Sequence, residues 1–237
     1  EAMIKRLKAP VFGIDLHWMV HSHGAIELAR LVKKHHPESK VIFGGLSSSY
    51  YYRELIELSE IDYVLRGDST EEPFRQLMKC LDKRQSLETV PNLVWQNERG
   101  DVCENDFSHV PDELNNVLVD YYPNMIRSVF RYRDLASVVP FKDWLRYPIT
   151  AVLTCRGCTQ NCIICGGSAS TSRNFYNRKE VVFRSPESVV RDVKQIESFS
   201  KGPIFILGDL DQFGDSYADD LVGRLKDAGV KNQVILE

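Results

Sequence analysis

Four of the six cysteines in this sequence of 237 residues lie within eleven consecutive positions, from Cys155 to Cys165. The last three, Cys158, Cys162 and Cys165, have the spacing C-x3-C-x2-C. Thiolates at this spacing can reach one inorganic cluster if the backbone curls around it as an irregular loop. Three thiolates bind three irons of a cubane iron–sulfur cluster and leave the fourth iron open to a small molecule, whereas clusters used only for electron transfer usually have four cysteines.

Two other uses of these thiols remain open. The cysteines form two C-x2-C pairs that could be the halves of a tetrahedral zinc site, but such sites usually separate their pairs by about a dozen residues or more. Only three residues separate the pairs here. A redox-active dithiol is the other alternative. Disulfide frameworks spread their cysteines along the chain, so this crowding indicates a reduced compartment and favours a metal or redox site.

The cysteine loop directly follows a predicted strand over residues 149–154. Apolar runs and helical periods alternate after it, with a helix over 186–199, a strand over 204–207, a helix over 217–228 and a last strand over 234–237. This alternation predicts parallel strands joined by crossover helices. The loop is therefore expected at the carboxyl end of a parallel sheet, where α/β proteins have their active sites.

The run that ends at Cys165 resembles the signature of radical S-adenosylmethionine (SAM) enzymes, in which a strand is followed by Arg-Gly-Cys, three residues, Cys, two residues and Cys. The resemblance implies that Cys158, Cys162 and Cys165 hold a [4Fe-4S] cluster and that SAM binds the fourth iron. It also implies that the reduced cluster cleaves SAM to a 5′-deoxyadenosyl radical. Cys155 stands where the family often has serine, so it is left out of the ligand set.

The same resemblance implies how SAM would be bound. Ile164 takes the position of the family's usual aromatic residue, which packs near the adenine. Gly208, Asp209 and Asp211 follow the predicted strand 204–207, where the family often has a glycine- and acid-containing segment that binds the amino group of SAM. An ammonium group needs an acceptor, which a carboxylate or carbonyl at a strand end provides. An ordinary acidic loop or helix cap is the alternative for the two aspartates.

The N-terminal third of the chain shows the same alternation. Strands are predicted over residues 11–14, 41–43 and 62–65, and helices over 25–35, 52–58 and 70–81. This order predicts a thin doubly wound sheet of parallel strands. Ser69 and Glu72 have the spacing of a capping box, which predicts that they start the third helix.

This sheet, followed by a hairpin and the cysteine loop, resembles the cobalamin-binding domain that precedes the barrel in one large subgroup of radical SAM enzymes. In such domains a glycine pair after a strand lets the nucleotide tail of cobalamin pass between sheet and helices, and here that pair is Gly44 and Gly45. The loop after the preceding strand, with Asp15 and His17, is implied to contact cobalamin as well. Some of these domains carry Asp-x-His-x-x-Gly, whose histidine binds cobalt. Val20 replaces that glycine here, so cobalt ligation by His17 is not expected.

The predicted fold class is α/β with two partial domains. A partial doubly wound, Rossmann-like cobalamin-binding domain is expected over residues 1–88, a hairpin and connector over 89–148, and the first part of a radical SAM (β/α) partial TIM barrel over 149–237. The chain starts without Met and ends on a predicted strand. We therefore expect it to be part of a longer protein and to be inactive by itself.

Composition narrows the functional classes further. With 43% hydrophobic and 27% charged residues, the sequence does not fit a disordered, collagen-like or coiled-coil chain. No apolar run approaches the roughly 18 residues that a membrane helix needs. A formal net charge of −3 gives no clear signal for nucleic-acid binding.

Together these features predict a cytoplasmic, B12-binding radical SAM enzyme with a [4Fe-4S] cluster, SAM and cobalamin as cofactors. It would methylate or rearrange a substrate that the sequence does not identify, and would receive electrons from a reductant such as ferredoxin or flavodoxin. Two alternatives stay open. One is a radical SAM enzyme without bound cobalamin, and the other is a zinc-stabilised interaction domain without catalytic activity.

Overall fold

The computed structural model describes residues 1–115, 121–133, 135, 139, 141 and 143–236. Parts of the predicted connector, and Glu237 of the last predicted strand, lie outside these residues. The chain divides into two compact units, which we call unit 1 (Glu1–Pro111 with Gln160–Lys179) and unit 2 (Asp112–Thr159 with Glu180–Glu237). Within the described ranges, none of the helices combines the length and apolar character of a membrane span.

Helices separate consecutive parallel strands in both parts of the chain, as the sequence predicts. In chain order they are α1 (Ala2–Arg6), β1 (Val11–Asp15), α2 (Ser22–His35), β2 (Lys40–Gly44), α3 (Leu46–Tyr50), α4 (Tyr52–Ile56), β3 (Tyr63–Leu65), α5 (Glu71–Lys83), β4 (Leu93–Gln96), β5 (Val102–Glu104), α6 (Tyr121–Tyr132), β6 (Thr150–Leu153), β7 (Cys155–Arg156), α7 (Ala169–Tyr176), β8 (Val182–Phe183), α8 (Pro186–Glu197), β9 (Ile204–Leu207), α9 (Asp215–Asp227) and β10 (Val234–Leu236).

Unit 1 is built on a five-stranded sheet with the order β1-β2-β3-β4-β5. The first three strands are parallel, and β4 and β5 pair in antiparallel fashion. In β2, which lies between β1 and β3, Val41 and Phe43 belong to one buried cluster and Ile42 belongs to another. Successive side chains of a strand point to opposite faces, so helices must cover both faces of this sheet. The predicted doubly wound architecture is confirmed.

Three local features of unit 1 differ from the sequence prediction. The predicted helix over 52–58 is α4, which ends at Ile56, and an additional short helix, α3, precedes it because the chain turns into a helix immediately after Gly45. The hairpin of β4 and β5 continues the sheet, since β4 pairs with β3 and satisfies its backbone groups. The capping box is wrong: Thr70 is the N-cap of α5, while Ser69 is buried and accepts a hydrogen bond from Arg178.

Unit 2 contains a three-stranded parallel sheet with the order β10-β9-β6 and a small antiparallel pair of β7 and β8. Fully buried Val152, Ile204 and Ile206 pack against apolar side chains of α8 and α9. Parallel strands that are joined by covering helices are the repeating unit of a (β/α) barrel. The predicted strands at 149–154, 204–207 and the end of the chain are all present, whereas α6 and α7 are additions of the structure.

Candidate functional site

A cavity of about 340 Å³ opens at the carboxyl end of the parallel strands of unit 1. Its walls come from the ends of β1, β2 and β3 and from the start of α5: Gly13, Ile14, Asp15, Ile42, Phe43, Gly44, Gly45, Leu65, Thr70, Glu71 and Phe74. Ligands of doubly wound folds bind at this edge of the sheet. Three of the residues that the sequence singles out, Asp15, Gly44 and Gly45, therefore lie together in one cavity wall.

The two glycines of this wall have different roles. A Cβ added at Gly44 would meet no other atom within 4 Å, so this residue leaves open space at the end of β2. Gly45 has φ 99° and ψ 171°, a backbone conformation that is accessible almost only to glycine. A Cβ there would lie 2.8 Å from the carbonyl oxygen of Leu16 and 2.3 Å from Asp15 Oδ1. Gly45 thus allows the chain to pass close over the end of β1.

Three serines that follow the glycine pair fasten the cavity rim. The N–H groups of Ser47 and Ser48 donate to the carbonyl oxygen of Leu16, at 3.1 and 3.3 Å. The buried hydroxyl of Ser49 accepts a hydrogen bond from Gly67 N–H at 2.7 Å. These bonds connect the loops after β1, β2 and β3, so the rim is fixed by backbone groups together with the Ser49 hydroxyl. Sequence analysis missed the serines, although their run after Gly-Gly was a visible signal.

His17 lies on the exposed part of the loop that follows β1. Its ring packs edge-on against Trp18, with ring centroids 4.9 Å apart, and its carbonyl oxygen accepts a hydrogen bond from Ser47 Oγ at 2.9 Å. Asp15, two residues earlier in the chain, lines the cavity. The structure therefore gives His17 a place in the rim through its backbone.

Two of the three predicted cluster cysteines lie in unit 1, and both side chains are exposed. Cys165 N–H donates to the carbonyl oxygen of Cys162 at 3.2 Å, which closes a tight turn. Between them, Ile163 and Ile164 are 99% and 94% exposed, so this turn displays apolar as well as thiol groups. Asn161 fastens the segment further, because its Oδ1 accepts from Ser170 N–H at the start of α7.

The other two cysteines of the loop belong to unit 2, where both are half-buried. Cys155 forms part of β7 opposite Phe183, and its burial raises the pKa of the thiol. A thiol with a raised pKa favours its protonated form, whereas a metal ligand must be a thiolate. Next to Cys158, the backbone N–H of Thr159 donates to Gln212 Oε1 at 2.7 Å. Gln212 is a second contact that sequence analysis missed.

The predicted SAM-binding segment follows β9 in unit 2. Gly208 has φ 123°, and a Cβ there would lie 2.4 Å from Thr154 Oγ1 and 2.8 Å from Cys155 Sγ. Asp209 caps a short 3-10 turn over Leu210–Phe213, because its side chain accepts from Asp211 N–H at 3.2 Å. The cap uses one oxygen of an exposed carboxylate. Asp209 precedes this turn as its N-cap, and Asp211 lies within it.

All six cysteines fall within the described residues, and none of them is in a disulfide. In the same part of the chain, no group of three or more Cys, His, Asp or Glu side chains is gathered closely enough to hold a metal ion. The donor set itself suits an iron–sulfur cluster, since thiols are the ligands that such clusters use. The cysteine spacing therefore stays a prediction from sequence, to which the structure adds the exposure of Cys162 and Cys165.

Comparison with known proteins gives a family match for unit 1. Residues 1–77 match the family model of the B12 binding domain. All of the residues that line the cavity, from Gly13 to Phe74, lie inside this range. The match to the B12 binding domain and the cavity at the strand ends therefore involve the same part of the chain.

A relative extends this similarity over most of the chain. Hopanoid C-3 methylase of Methylococcus capsulatus is 25% identical over 225 residues, which cover 94% of this chain and 39% of the relative. The chain therefore spans about two fifths of that protein's length.

Solved structures of two proteins share the fold. The radical SAM methyltransferase TsrM from Kitasatospora setae matches with a TM-score of 0.66 and 14% identity in its complex with tryptophan and aza-SAM, covering 94% of this chain and 41% of TsrM. Its complex with cobalamin and a [4Fe-4S] cluster gives 0.65 and 16%, covering 93% and 42%. The cobalamin-dependent SAM radical enzyme OxsB with aqua-cobalamin gives 0.66 and 14%, covering 94% and 29%. The predicted resemblance to radical SAM enzymes with an N-terminal cobalamin-binding domain is confirmed, and so is the predicted α/β fold.

Proposed function

We propose that this chain is part of a cobalamin-dependent radical SAM enzyme, in which unit 1 binds cobalamin and the cysteine loop binds a [4Fe-4S] cluster and SAM. The observation that carries the proposal is the cavity at the carboxyl ends of β1, β2 and β3, because every residue that lines it lies within the match to the B12 binding domain. The similarity to solved cobalamin-dependent radical SAM enzymes over 94% of the chain supports the second half of the proposal.

Cobalamin fits the cavity for a specific reason. Gly44 and Gly13 both line it, and a Cβ at either position would meet only open space. Side chains at these two positions would occupy the volume that a nucleotide tail needs between sheet and helix. Asp15 and the rim fastened by the three serines would orient the ligand without rearrangement, which lowers the entropic cost of binding.

The cluster ligands in this proposal are Cys158, Cys162 and Cys165. Their C-x3-C-x2-C spacing supports the set, and the packing of the half-buried Cys155 thiol beside Gly208 supports its exclusion. When bound and reduced, such a cluster supplies the electron that cleaves SAM to the 5′-deoxyadenosyl radical. The role of the chain is to hold the three thiolates and to leave the fourth iron open.

SAM binding would use the loop after β9. Asp209 and Asp211 are exposed carboxylates, and they are suitable acceptors for the amino group of SAM. The 3-10 cap uses the Oδ1 atom of Asp209. Ile164 offers an exposed apolar side chain for the adenine, although it cannot stack as an aromatic ring would.

Methyl transfer is the reaction outcome that the relatives favour, since both the hopanoid enzyme and TsrM transfer methyl groups by name. Rearrangement of the substrate is the second outcome of the same radical chemistry. The reduced thiols that a cluster needs favour a cytoplasmic location with a reductant such as ferredoxin or flavodoxin. The substrate itself is left open.

Metal and cofactor analysis of the anaerobically purified chain tests the proposal. After reconstitution with iron and sulfide we expect about four irons and four sulfides per chain, and hydroxocobalamin should co-elute with the protein in gel filtration. Stoichiometric zinc without sulfide would instead support the zinc-stabilised interaction domain. An iron–sulfur cluster without retained cobalamin would support a radical SAM enzyme whose N-terminal sheet has another role.

A further inference from the structure

The segment that carries two of the proposed cluster ligands belongs to the unit of the cobalamin-type sheet. Gln160–Lys179 forms part of unit 1, although it follows β6 and β7 of unit 2 in sequence. Its helix α7 packs against α3, the short helix that starts directly after Gly45. The rings of Tyr50 on α3 and Phe175 on α7 are 4.4 Å apart.

One buried side chain fastens this segment to the sheet. Arg178 is 2% exposed and donates hydrogen bonds from Nε and Nη2 to the two carboxylate oxygens of Asp68. Nη2 also donates to Ser69 Oγ at 3.1 Å, and Nη1 donates to the carbonyl oxygen of Pro111 at 3.0 Å. The two charged partners are 110 residues apart in sequence.

The partners of Arg178 are part of the loop that closes the cavity. Asp68 and Ser69 follow β3, and the next two residues, Thr70 and Glu71, line the cavity. The N–H of Gly67, one residue earlier, is bound by Ser49 of the serine run. The same short loop is thus held on one side by the cavity rim and on the other by Arg178.

Buried ion pairs are seldom strong stabilisers, because removing both charges from water offsets much of their attraction. They are selective for geometry, however, since a guanidinium and a carboxylate satisfy each other only in a narrow range of positions. The Arg178–Asp68 pair is therefore better suited to fix the place of the segment than to add net stability.

We infer that Arg178 is a positioning residue: it holds α7, and with it the turn that carries Cys162 and Cys165, against the loop that closes the cobalamin cavity. The inference rests on the proposed function for the roles of the cavity and the cysteines. It gives the chain a direct connection between its two cofactor-binding parts, since a ligand that orders the loop after β3 also orders α7 through Arg178.

Hydrogen–deuterium exchange of the full chain tests this inference with matched variants. Arg178→Gln removes the guanidinium. Arg184→Gln is the control, because Arg184 is also buried and pairs with a buried aspartate, Asp192, but does so within unit 2. We expect Arg178→Gln to raise exchange of the amides of α7 at least tenfold while those of β2 stay protected. Arg184→Gln should leave α7 unchanged, and Arg178→Lys, which keeps the charge, should give an intermediate rate.

A second readout separates positioning from general stability. Saturating hydroxocobalamin should slow exchange in α7 of the unmodified chain at least threefold, and this protection should be absent in Arg178→Gln even where that variant still retains the cofactor. Equal protection of α7 by cobalamin in both proteins would overturn the inference. So would equal ligand-free exchange of α7 in Arg178→Gln and the unmodified chain.

These experiments distinguish failure of the proposed function from failure of the inference about Arg178. If hydroxocobalamin does not bind the unmodified chain, the proposed function fails, while the ligand-free comparison of Arg178→Gln with Arg184→Gln still decides whether Arg178 holds α7. If Arg178→Gln does not fold, Ser69→Ala removes a single acceptor of the guanidinium and should raise α7 exchange about threefold. Unchanged exchange in Ser69→Ala would then contradict the inference.

Discussion

The carboxyl ends of the two parallel sheets share one backbone feature, although its surroundings differ between them. Gly45 after β2 and Gly208 after β9 both have positive φ. In each case a Cβ would collide with the loop that follows the neighbouring parallel strand, β1 in unit 1 and β6 in unit 2. A glycine thus lets one strand end close over its neighbour at both places.

The two ends differ in what lies beside that glycine. In unit 1, Gly44 leaves open space and the rim is fastened by serines, so the packing of the chain forms a cavity. In unit 2, Cys155 Sγ fills the space next to Gly208, and Cys162 and Cys165 are displayed on the surface of unit 1. A cavity can be shaped by packing alone. A thiolate cluster takes its geometry from the metal, so the fold has only to supply the spacing and the access.

The largest expected effect concerns the three proposed cluster ligands. Replacing Cys158, Cys162 or Cys165 by Ala should reduce iron and sulfide incorporation to near zero, because a cluster with two protein ligands is not retained. Cys155→Ala should keep full incorporation, since that thiol packs beside Gly208. Iron and sulfide are measured after anaerobic reconstitution. Equal loss in all four variants would show that Cys155 is also a ligand and that the two sheet ends are less different than described.

The next effect distinguishes the two glycines of unit 1. Gly45→Ala should lower the free energy of unfolding by about 1–3 kcal/mol, because alanine is strained at φ 99° and ψ 171°. Gly44→Ala should leave stability almost unchanged and weaken hydroxocobalamin binding about tenfold, or about 1.4 kcal/mol, since its Cβ enters the open cavity. Urea unfolding and equilibrium dialysis measure the two quantities.

Gly24→Ala is the matched control for the glycine variants. A Cβ at Gly24 also meets no atom within 4 Å, but this residue lies on α2, outside the cavity wall. Cobalamin binding should be unaffected by this change. If Gly24→Ala and Gly44→Ala bind cobalamin equally well, the cavity is not the cobalamin site.

A smaller effect is expected from the serine run. Ser49→Ala leaves the buried N–H of Gly67 without its 2.7 Å partner, which should destabilise the chain by about 1–2 kcal/mol. Because the rim would lose a connection between β2 and β3, cobalamin affinity should fall as well. Ser49→Thr keeps the hydroxyl and serves as a control. Full cobalamin affinity in a destabilised Ser49→Ala would show that the rim is not preorganised by this bond.

The smallest effect is expected at the end of the unit 2 sheet that lies opposite Gly208. A hydrogen bond from Lys194, and a second from the backbone N–H of Lys231, lower the pKa of Glu197. A lowered carboxyl pKa in the folded state adds stability above the unfolded value near 4.5, and this contribution is lost as the pH falls through the folded value.

Glu197→Gln should therefore lower stability at pH 7 by about 1 kcal/mol or less and flatten the loss of stability below pH 4.5. Urea unfolding at pH 7 and pH 4 checks both parts. Cluster content and cobalamin binding should not change, since the bonds of Glu197 lie before β10 and away from the carboxyl strand ends. A change in cluster content or in cobalamin binding would contradict the expectation that the two ends of this sheet act independently.

Much of the fold could be predicted because strand and helix patterns depend on neighbouring residues. The apolar run Val41-Ile42-Phe43 indicates a strand buried on both faces, and the structure places these side chains in two separate clusters. The hairpin was predicted, but its pairing with β3 was not, since a strand pattern does not name its partner. Ser69 illustrates the same limit: its local pattern indicates a capping box, while a distant arginine uses its hydroxyl instead.

The sequence by itself determined the strands of both parallel sheets, the three-cysteine spacing and the glycine pair, because each is a property of neighbouring residues. Only the tertiary structure showed that the backbone conformation requires glycine at Gly45, whereas Gly44 leaves open space at the end of β2. It also decided that Gln160–Lys179 belongs with the N-terminal sheet. Both outcomes depend on contacts between distant parts of the chain, such as Arg178 with Asp68, and side-chain periodicity carries no information about such partners.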